Sequence, residues 1–389
     1  PGSPAGEFAV SADVEAADFG VIEGEAGMSE KKTREFRSLT EMVQLARKRL
    51  DRGDWDYLVG AADTEASLRR NRAALESWVF KPRILNDVSG VNVESELLGS
   101  AMRIPVVLPP IGSVQAFEAG GGTSVARAAQ DFGILQILSS ACAPDYETVA
   151  RDVPGDRIYQ LYLVGDEAWM DDHIARALAA GYTGLCLTAD TLVYSRRERD
   201  VMKGYVPMSG RSATTGGDFS HQASMTWDTV AHIKEKHDIP LVVKGVMHGD
   251  DASRCVEAGV DVVYISNHGG RQLDHTKACI DALPEVAAAV AGRVPVVVDG
   301  GFMRGADVVK GLCLGADFVG MGRFEGLAMA AGGSAGLMRG LKILEQEIRI
   351  SMALLGAPDL AALNPTMLER AQPLAEPSVL SAFPLLEDY

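Results

Sequence analysis

The chain has no surplus of positive charge. Its 37 Lys and Arg face 53 Asp and Glu, a formal net charge of −16. A phosphate backbone asks for the opposite balance, so nucleic acid is excluded as a general partner, though not a small anion in a local basic pocket. Paired cysteines are missing as well. Cys142, Cys186, Cys255, Cys279 and Cys313 are scattered, odd in number and lack a C-x-x-C spacing. That argues against zinc or any other structural metal and against a disulfide framework, and points to a reducing, cytoplasmic compartment. No apolar run approaches bilayer length, so no membrane span is expected. A G-x-G-x-x-G turn is also lacking after the first β-rich run, where the chain reads PPIGSVQ (109–115); this disfavours an open doubly wound sheet.

What is present is a globular enzyme's composition, 47% hydrophobic and 23% charged over 389 residues, enough for one large α/β barrel or two ordinary domains. Residues 1–27 are small, acidic and aperiodic and read as a leader, with Gly2-Ser3 and Glu7-Phe8 as cloning scars and Met28 as a natural start. They lack the basic-then-apolar layout of a signal peptide.

From Ile104 onwards short β-rich runs alternate with amphipathic stretches. The runs are IPVVL (104–108), LQILSS (135–140), RIYQLYL (157–163), GLCLTAD (184–190), PLVVKGV (240–246), DVVYISN (261–267), PVVVDGG (295–301) and DFVGMGR (317–323). Eight such units predict a (β/α)8 TIM barrel over 101–365. Ahead of it, 28–100 forms an N-terminal helical extension, with helices over 39–50 and within 55–78 and a hairpin at VNVESELLG (91–99) on the barrel floor. The one long irregular stretch, 201–226, is rich in Ser, Gly and Thr and is expected to lie over the active face as a lid. The tail, 366–389, is Pro-rich and weakly patterned.

Polar residues gather where six successive strands end, the face on which barrel enzymes build their sites. They are Gln160 and Tyr162; Thr188, Asp190 and Arg196-Arg197; Lys244; Ser266, Asn267, His268 and Arg271; Asp299-Gly300-Gly301; and Gly322-Arg323. Each alone has a plain structural explanation: a tight turn, a solvated charge, a satisfied histidine. Six together at one end do not. Lys244 interrupts the apolar run PLVVKGVM, where an unpaired charge is costly. The two glycine turns with Arg323 suit a phosphate. Arg197 and Arg271 suit a carboxylate clamp, Tyr162 a hydroxyl or keto oxygen, and His268 a general base oriented by Asp190. The combination fits an α-hydroxy acid beside a phosphate-bearing redox cofactor. Two other readings stay open: a flavin-free barrel isomerase or synthase acting on a phosphorylated substrate, and a non-catalytic binder.

SNHGGRQLD, LVVKGV, QLYL, LTADTLVYSRRERD, VVVDGG and GADFVGMGR resemble the motifs of the FMN-dependent α-hydroxy-acid oxidase and dehydrogenase family, which includes glycolate oxidase, lactate oxidase and mandelate dehydrogenase. The likeness runs from about Leu39 to about Pro365. It implies FMN as cofactor, a 2-hydroxy acid as substrate, oxygen or another electron acceptor, and a homo-oligomer, a tetramer or larger. It further implies that Tyr57, Arg197 and Arg271 hold the substrate carboxylate, that Tyr162 lies near the reacting oxygen, and that His268 is the base supported by Asp190. Lys244 would stabilise reduced flavin at its N1–C2 edge. Ser139, Gln160, Thr188 and Ser266 would meet the isoalloxazine, with Pro110 and Gly112 beside it, and Asp299, Gly301, Arg304, Gly322 and Arg323 would take the ribityl chain and phosphate. The chain departs from the family at Met303, where many relatives have a phosphate-contacting Arg, at Ala141, where glycolate-oxidase-like members carry a bulky aromatic, and at Phe324-Glu325, which replaces a Pro-containing turn. Gly112 falls where family oxidases often have Ala and several dehydrogenases or monooxygenases have Gly, which tilts the expectation away from a fast oxidase and leaves a monooxygenase open. Loop 201–226 has no apolar insertion able to enter a bilayer.

Overall fold

A computed structural model of the chain describes residues 36–206, 220–374 and 376–387. Three helices open it: α1 (Leu39–Arg49), α2 (Arg52–Val59) and α3 (Ala66–Ser77). The first two start where sequence capping rules place them, on the side chains of Ser38 and Asp51. Short strands β1 (Trp78–Phe80), β2 (Ser95–Leu97) and β3 (Ser100–Met102) follow. β2 and β3 form an antiparallel hairpin, a few residues beyond the 91–99 expected, because Leu98-Gly99 take positive φ and make the turn.

The barrel strands are β4 (Val106–Val107), β5 (Ile137–Ser139), β6 (Ile158–Leu161), β7 (Gly184–Thr188), β8 (Leu241–Val246), β9 (Val262–Ile265), β10 (Val296–Val298) and β11 (Phe318–Gly320). All eight lie inside the expected runs, are parallel, and pair in the order β4-β11-β10-β9-β8-β7-β6-β5. A parallel bridge from Leu108 to Gln136 closes the ring. Buried on both faces, such strands need continuous Val, Ile and Leu, which these runs supply. The wrapping helices are α4 (Gly121–Phe132), α5 (Tyr146–Asp152), α6 (Glu167–Ala179), α7 (Glu198–Lys203), α8 (Trp227–Lys236), α9 (Gly249–Glu257), α10 (Cys279–Val290), α11 (Gly305–Cys313) and α12 (Gly322–Leu355), the last broken at Gly332-Gly333. None of the described helices is long and apolar enough to cross a membrane.

Two segments differ from the sequence reading. The stretch taken as irregular starts inside α7 and ends with a single turn at Ser220–Ala223; residues 207–219 lie outside the described residues. The C-terminal segment is patterned after all: β12 (Leu368–Arg370) pairs antiparallel with β1, and Phe383 is buried. Phe324 and Glu325 form the first, buried turn of α12.

The N-terminal helices cover one side of the open barrel face. Asn71 of α3 and Asn267 exchange amide hydrogen bonds of 2.9 and 3.0 Å. Asp274 accepts from the backbone N–H of Ser67 at 2.8 Å and from the Thr64 hydroxyl at 2.7 Å. The loop after β9 is therefore held at both of its own ends by α3 and the residues just before it.

Candidate active site

A cavity of about 1230 Å3 opens at the C-terminal ends of the strands. Its lining includes Tyr57, Pro110, Gly112, Ser139, Tyr162, Arg197, Lys244, His268, Arg271, Asp299, Gly301, Gly322 and Arg323, so thirteen of the expected residues converge. Gln160, Thr188 and Ser266 sit fully buried in the strand ends behind it, and Asp190 stands behind His268.

His268 is a non-glycine residue with left-handed backbone, φ 58°, followed by Gly269 and Gly270 at 63° and 80°. Strain of this kind is held by its surroundings and collects at functional sites. A Cβ on Gly270 would lie 2.6 Å from the Leu68 nitrogen, and one on Gly269 would lie 2.6 Å from Arg323 Nη1, so both glycines are close-approach positions. The turn brings His268 Nδ1 to 3.0 Å from Asp190 Oδ1. Burial works against the Asp190 charge, but Lys244 and His268 outweigh it and hold its pKa down at about 2. The carboxylate is therefore ionised and only accepts, which puts the proton on Nδ1 and leaves Nε2 as the basic nitrogen. Burial, with Lys244 beside it, pushes the imidazole down to about 4. His268 is neutral at physiological pH and ready to take a proton.

Lys244 reaches this group through a bulge. The register of β8 against β9 shifts between Lys244 and Val246, and Gly245, at φ 114°, lets Asp190 approach where a Cβ would meet it at 2.8 Å. Burial alone would discharge the ammonium, yet Asp190 and Asp299 raise its pKa. Its Nζ is 4.0 Å from Asp299 Oδ2. The site thus holds a buried cation flanked by two carboxyl groups.

The guanidiniums of Arg197 and Arg271 lie 5.8 and 4.7 Å from the Tyr57 ring centre. Arg271 is anchored through Nη1 to the carbonyls of Tyr57 (2.6 Å) and Gly60 (3.0 Å). Burial, then the neighbouring Arg197, lowers its pKa, the mark of two cations sharing a small space that an anion would relieve. The Tyr57 hydroxyl donates to the Gly112 carbonyl at 2.9 Å. Tyr162 has its phenol pKa pushed up by burial and remains a protonated donor.

At the other end, Arg323 donates to the carbonyls of Leu58, Gly269 and Gly60 at 3.2, 2.9 and 2.8 Å, leaving one N–H on each Nη for a ligand. Arg304 is a correction: its guanidinium pairs with Glu347 at 2.6 Å and donates to the Ala382 carbonyl. It caps α11 and faces the C-terminal segment, and it does not line the cavity. Met303 does line it, buried. The cavity contains an arginine that the sequence reading passed over, Arg72 of α3, which donates to the Gly301 carbonyl at 2.6 Å and pairs with Asp307 at 2.8 Å. Locally it reads as an ordinary i,i+4 pair with Glu76 at 3.6 Å, since the two partners that hold it at the cavity lie more than two hundred residues away. Also missed was Gln222, whose amide joins the Thr188 carbonyl (2.8 Å) to the Leu163 N–H (2.6 Å).

Comparison with known proteins decides the family. A sequence profile described as FMN-dependent dehydrogenase matches residues 46–370. The chain belongs to the FMN-dependent dehydrogenase family. It is 36% identical to an L-lactate oxidase of Nostoc sp. over 85% of this chain and 97% of that one. It is 37% identical to a peroxisomal (S)-2-hydroxy-acid oxidase of Oryza sativa subsp. japonica, over 82% and 92%. Among solved structures, a soluble mutant of the membrane-associated (S)-mandelate dehydrogenase from Pseudomonas putida superposes with a TM-score of 0.80 at 34% identity, covering 86% of this chain and 99% of that one. A mandelate oxidase gives 0.79 at 34%, covering 87% and 100%.

The site fits the family's cofactor on its own terms. Both amide atoms of Gln160, the Thr188 hydroxyl and Asp299 Oδ1 are buried without a hydrogen-bond partner among the described residues. Each such atom costs roughly 1–3 kcal/mol if nothing meets it. An amide and a hydroxyl offer both donors and acceptors, which an isoalloxazine edge of alternating N–H and C=O groups requires, and Lys244 supplies a cation for the edge that gains charge on reduction. Membership of the FMN-dependent family retires the flavin-free isomerase reading and the non-catalytic one, and the residues expected as base and clamp all stand at one cavity.

Proposed function

We propose that this enzyme oxidises an L-2-hydroxy acid to the 2-keto acid, with a substrate larger than glycolate. The observation that carries the reading is the Nδ1–Asp190 contact: it leaves the opposite nitrogen of a neutral imidazole as base in a cavity shared with two arginines. Arg197 and Arg271 bind the carboxylate, and Tyr57 and Tyr162 orient it and the α-oxygen. His268 Nε2 takes the hydroxyl proton, and the imidazolium so formed is stabilised across Nδ1 by Asp190. Bound FMN would supply the two-electron acceptor for the hydride equivalent, one proton with two electrons, that leaves the α-carbon. Gln160, Thr188, Ser139 and Ser266 would hold its ring, Lys244 its N1–C2 edge, and Asp299, Gly301, Gly322 and Arg323 its ribityl phosphate. Val201, Gly204 and Tyr205, which line the cavity, form one wall of the substrate site.

Our reading places the enzyme in the cytoplasm as a homotetramer or larger, with reduced flavin reoxidised by an acceptor other than fast-reacting oxygen. Ala141 at the cavity wall supports the larger substrate, and Gly112, also at that wall, supports an activity other than a fast oxidase. Anaerobic mixing with a panel of L-2-hydroxy acids tests the chemistry. Bleaching of the flavin colour is expected with branched or aryl acids, and glycolate outcompeting them in kcat/KM overturns the size assignment. Mixing the reduced enzyme with air then reads the acceptor: slow return of colour is expected, and fast return refutes it.

A further inference from the structure

The cavity extends beyond anything the proposed chemistry uses. Past Ala141 it continues along Cys142 into a compartment lined by Tyr146, Tyr159, Val164, Trp169 and His173. None of these lies at the inner strand ends. Tyr159 is on β6 one position before Gln160, so it faces the helices, with its ring 4.5 Å from Tyr146 and 5.6 Å from Tyr182. Tyr146 opens α5, and Trp169 and His173 lie in the first turns of α6, their rings 3.8 Å apart. The compartment therefore sits outside the barrel wall, under the loop joining β5 to α5. Residues 139–142 all line the cavity, and Ala141 is the step between flavin side and outer side.

Its walls are aromatic, with one orphan. The Tyr146 hydroxyl is buried without a partner among the described residues, in a residue only 8% exposed. A buried hydroxyl in an aromatic enclosure asks for a ligand atom that accepts or donates one hydrogen bond, on a group flat enough to lie against rings. Among the described residues that line this compartment none carries a guanidinium or ammonium; Arg176, 5.6 Å from the Tyr146 ring centre, donates to both carboxylate oxygens of Glu147, and the Asp145 carboxylate accepts from the Thr148 N–H at 2.9 Å.

We infer that this compartment is a specificity annex that receives the distal ring of an arylalkyl 2-hydroxy acid, one or more methylenes from the reacting carbon and bearing a polar substituent that meets Tyr146. The inference rests on the hydroxy-acid reading of the main site. The carboxylate and hydroxyl stay with the arginines and His268, while the side chain passes Ala141 and leaves the barrel wall. Apolar surface buried in the annex adds transition-state binding that lactate cannot reach.

The test uses the FMN-loaded enzyme with L-lactate, phenyllactate and 4-hydroxyphenyllactate. Anaerobic flavin reduction is expected to give the hydroxyphenyl acid a kcat/KM at least tenfold above lactate. Trp169→Ala should cut that ratio at least tenfold, and Tyr146→Phe should remove the preference for the hydroxyl-bearing ring over the plain one. Lactate as the best substrate, or variants that move all three acids equally, overturns the annex. Trp169 fluorescence gives a second readout that does not need turnover: quenching by the aryl acids, absent with lactate and lost in Trp169→Phe, is expected. If no acid bleaches the flavin, the hydroxy-acid reading falls, while quenching still upholds the annex and its absence overturns it.

Discussion

Replacing Asp190 by Asn isolates the charge behind the base. The amide oxygen can still accept from His268 Nδ1–H, so the tautomer and the ring position survive and only the negative charge is lost. With Nδ1 and Oδ1 at 3.0 Å, a hydrogen bond to a charged partner is worth roughly 1.5–3 kcal/mol. The direct attraction between the new imidazolium and the carboxylate is on the order of 4 kcal/mol at about 4 Å and an effective dielectric of about 20. A loss of about 2–4 kcal/mol in the proton-transfer transition state corresponds to a fall of roughly 30- to 1,000-fold in rate. Anaerobic stopped-flow reduction of the flavin measures this step without the oxidative half-reaction. Substrate affinity should hold, because Arg197 and Arg271 are untouched. The pH dependence makes the test sharper. Asp190 raises the His268 pKa against burial and Lys244, so its removal lowers that pKa and leaves the base neutral over a wider range. A slow variant cannot then be slow because its base is protonated. A decrease of less than about threefold, or an acid limb that shifts upward, would refute the assignment of Asp190 as the stabilising charge.

Other outcomes follow from the same geometry. With His268 held down near 4 by burial and Lys244, kcat/KM should stay level on the acid side well below the usual histidine range; Lys244→Met, by removing the cation, should move the limb upward, and a wild-type limb at or above about 6.5 contradicts the environment described. Arg323→Met should weaken FMN at least about tenfold by fluorescence titration while changing riboflavin little, since the guanidinium's remaining N–H groups are reserved for phosphate; equal loss of both flavins shows that its carbonyl contacts alone matter. Gly270→Ala places a Cβ 2.6 Å from the Leu68 nitrogen at φ 80° and should lower Tm by at least about 5 °C, combining left-handed strain of roughly 1–2 kcal/mol with displacement of α3. Gly99→Ala, at φ 81° with nothing within 4 Å, carries the strain alone, and equal Tm values in the two variants would deny the close packing.

The barrel was legible because a parallel strand buried on both faces is written as an unbroken apolar run, and eight such runs occur at regular spacing. The charged residues that converge on the cavity from strand ends were legible for the complementary reason. A His, a Lys or an Asp at the end of such a run has no packing role there, so Asp190, Lys244 and His268 stand out against their own strands. The hairpin was displaced because its turn is made by Leu98 and Gly99, and Leu98 at φ 51° is not a residue that announces a turn. The C-terminal strand was missed because three residues, Leu368–Arg370, carry no periodicity; β1 determines their conformation, and β1 is nearly three hundred positions away.

The phosphate end shows where local reading stops. In GGFMRG one residue of phase separates Met303, which lines the cavity, from Arg304, which faces Glu347. Chemistry favoured the arginine, but the chain starts α11 at Gly305, and Arg304 as its N-cap points along the outer surface. The cation facing the Gly301 turn comes instead from α3, as Arg72, held there by Asp307 from α11. A strand end constrains its own side chain's direction, because alternate residues face inward. A loop residue carries no such constraint, and a residue arriving from another element carries no local signal at all. Residues that stand in a distinctive motif, such as Tyr57, Arg197, His268 and Arg271, were legible even though they lie on helices and loops, whereas strand ends were legible from their own pattern. Where loops and distant helices place their side chains is fixed only when the barrel closes and α3 lies against the loop after β9.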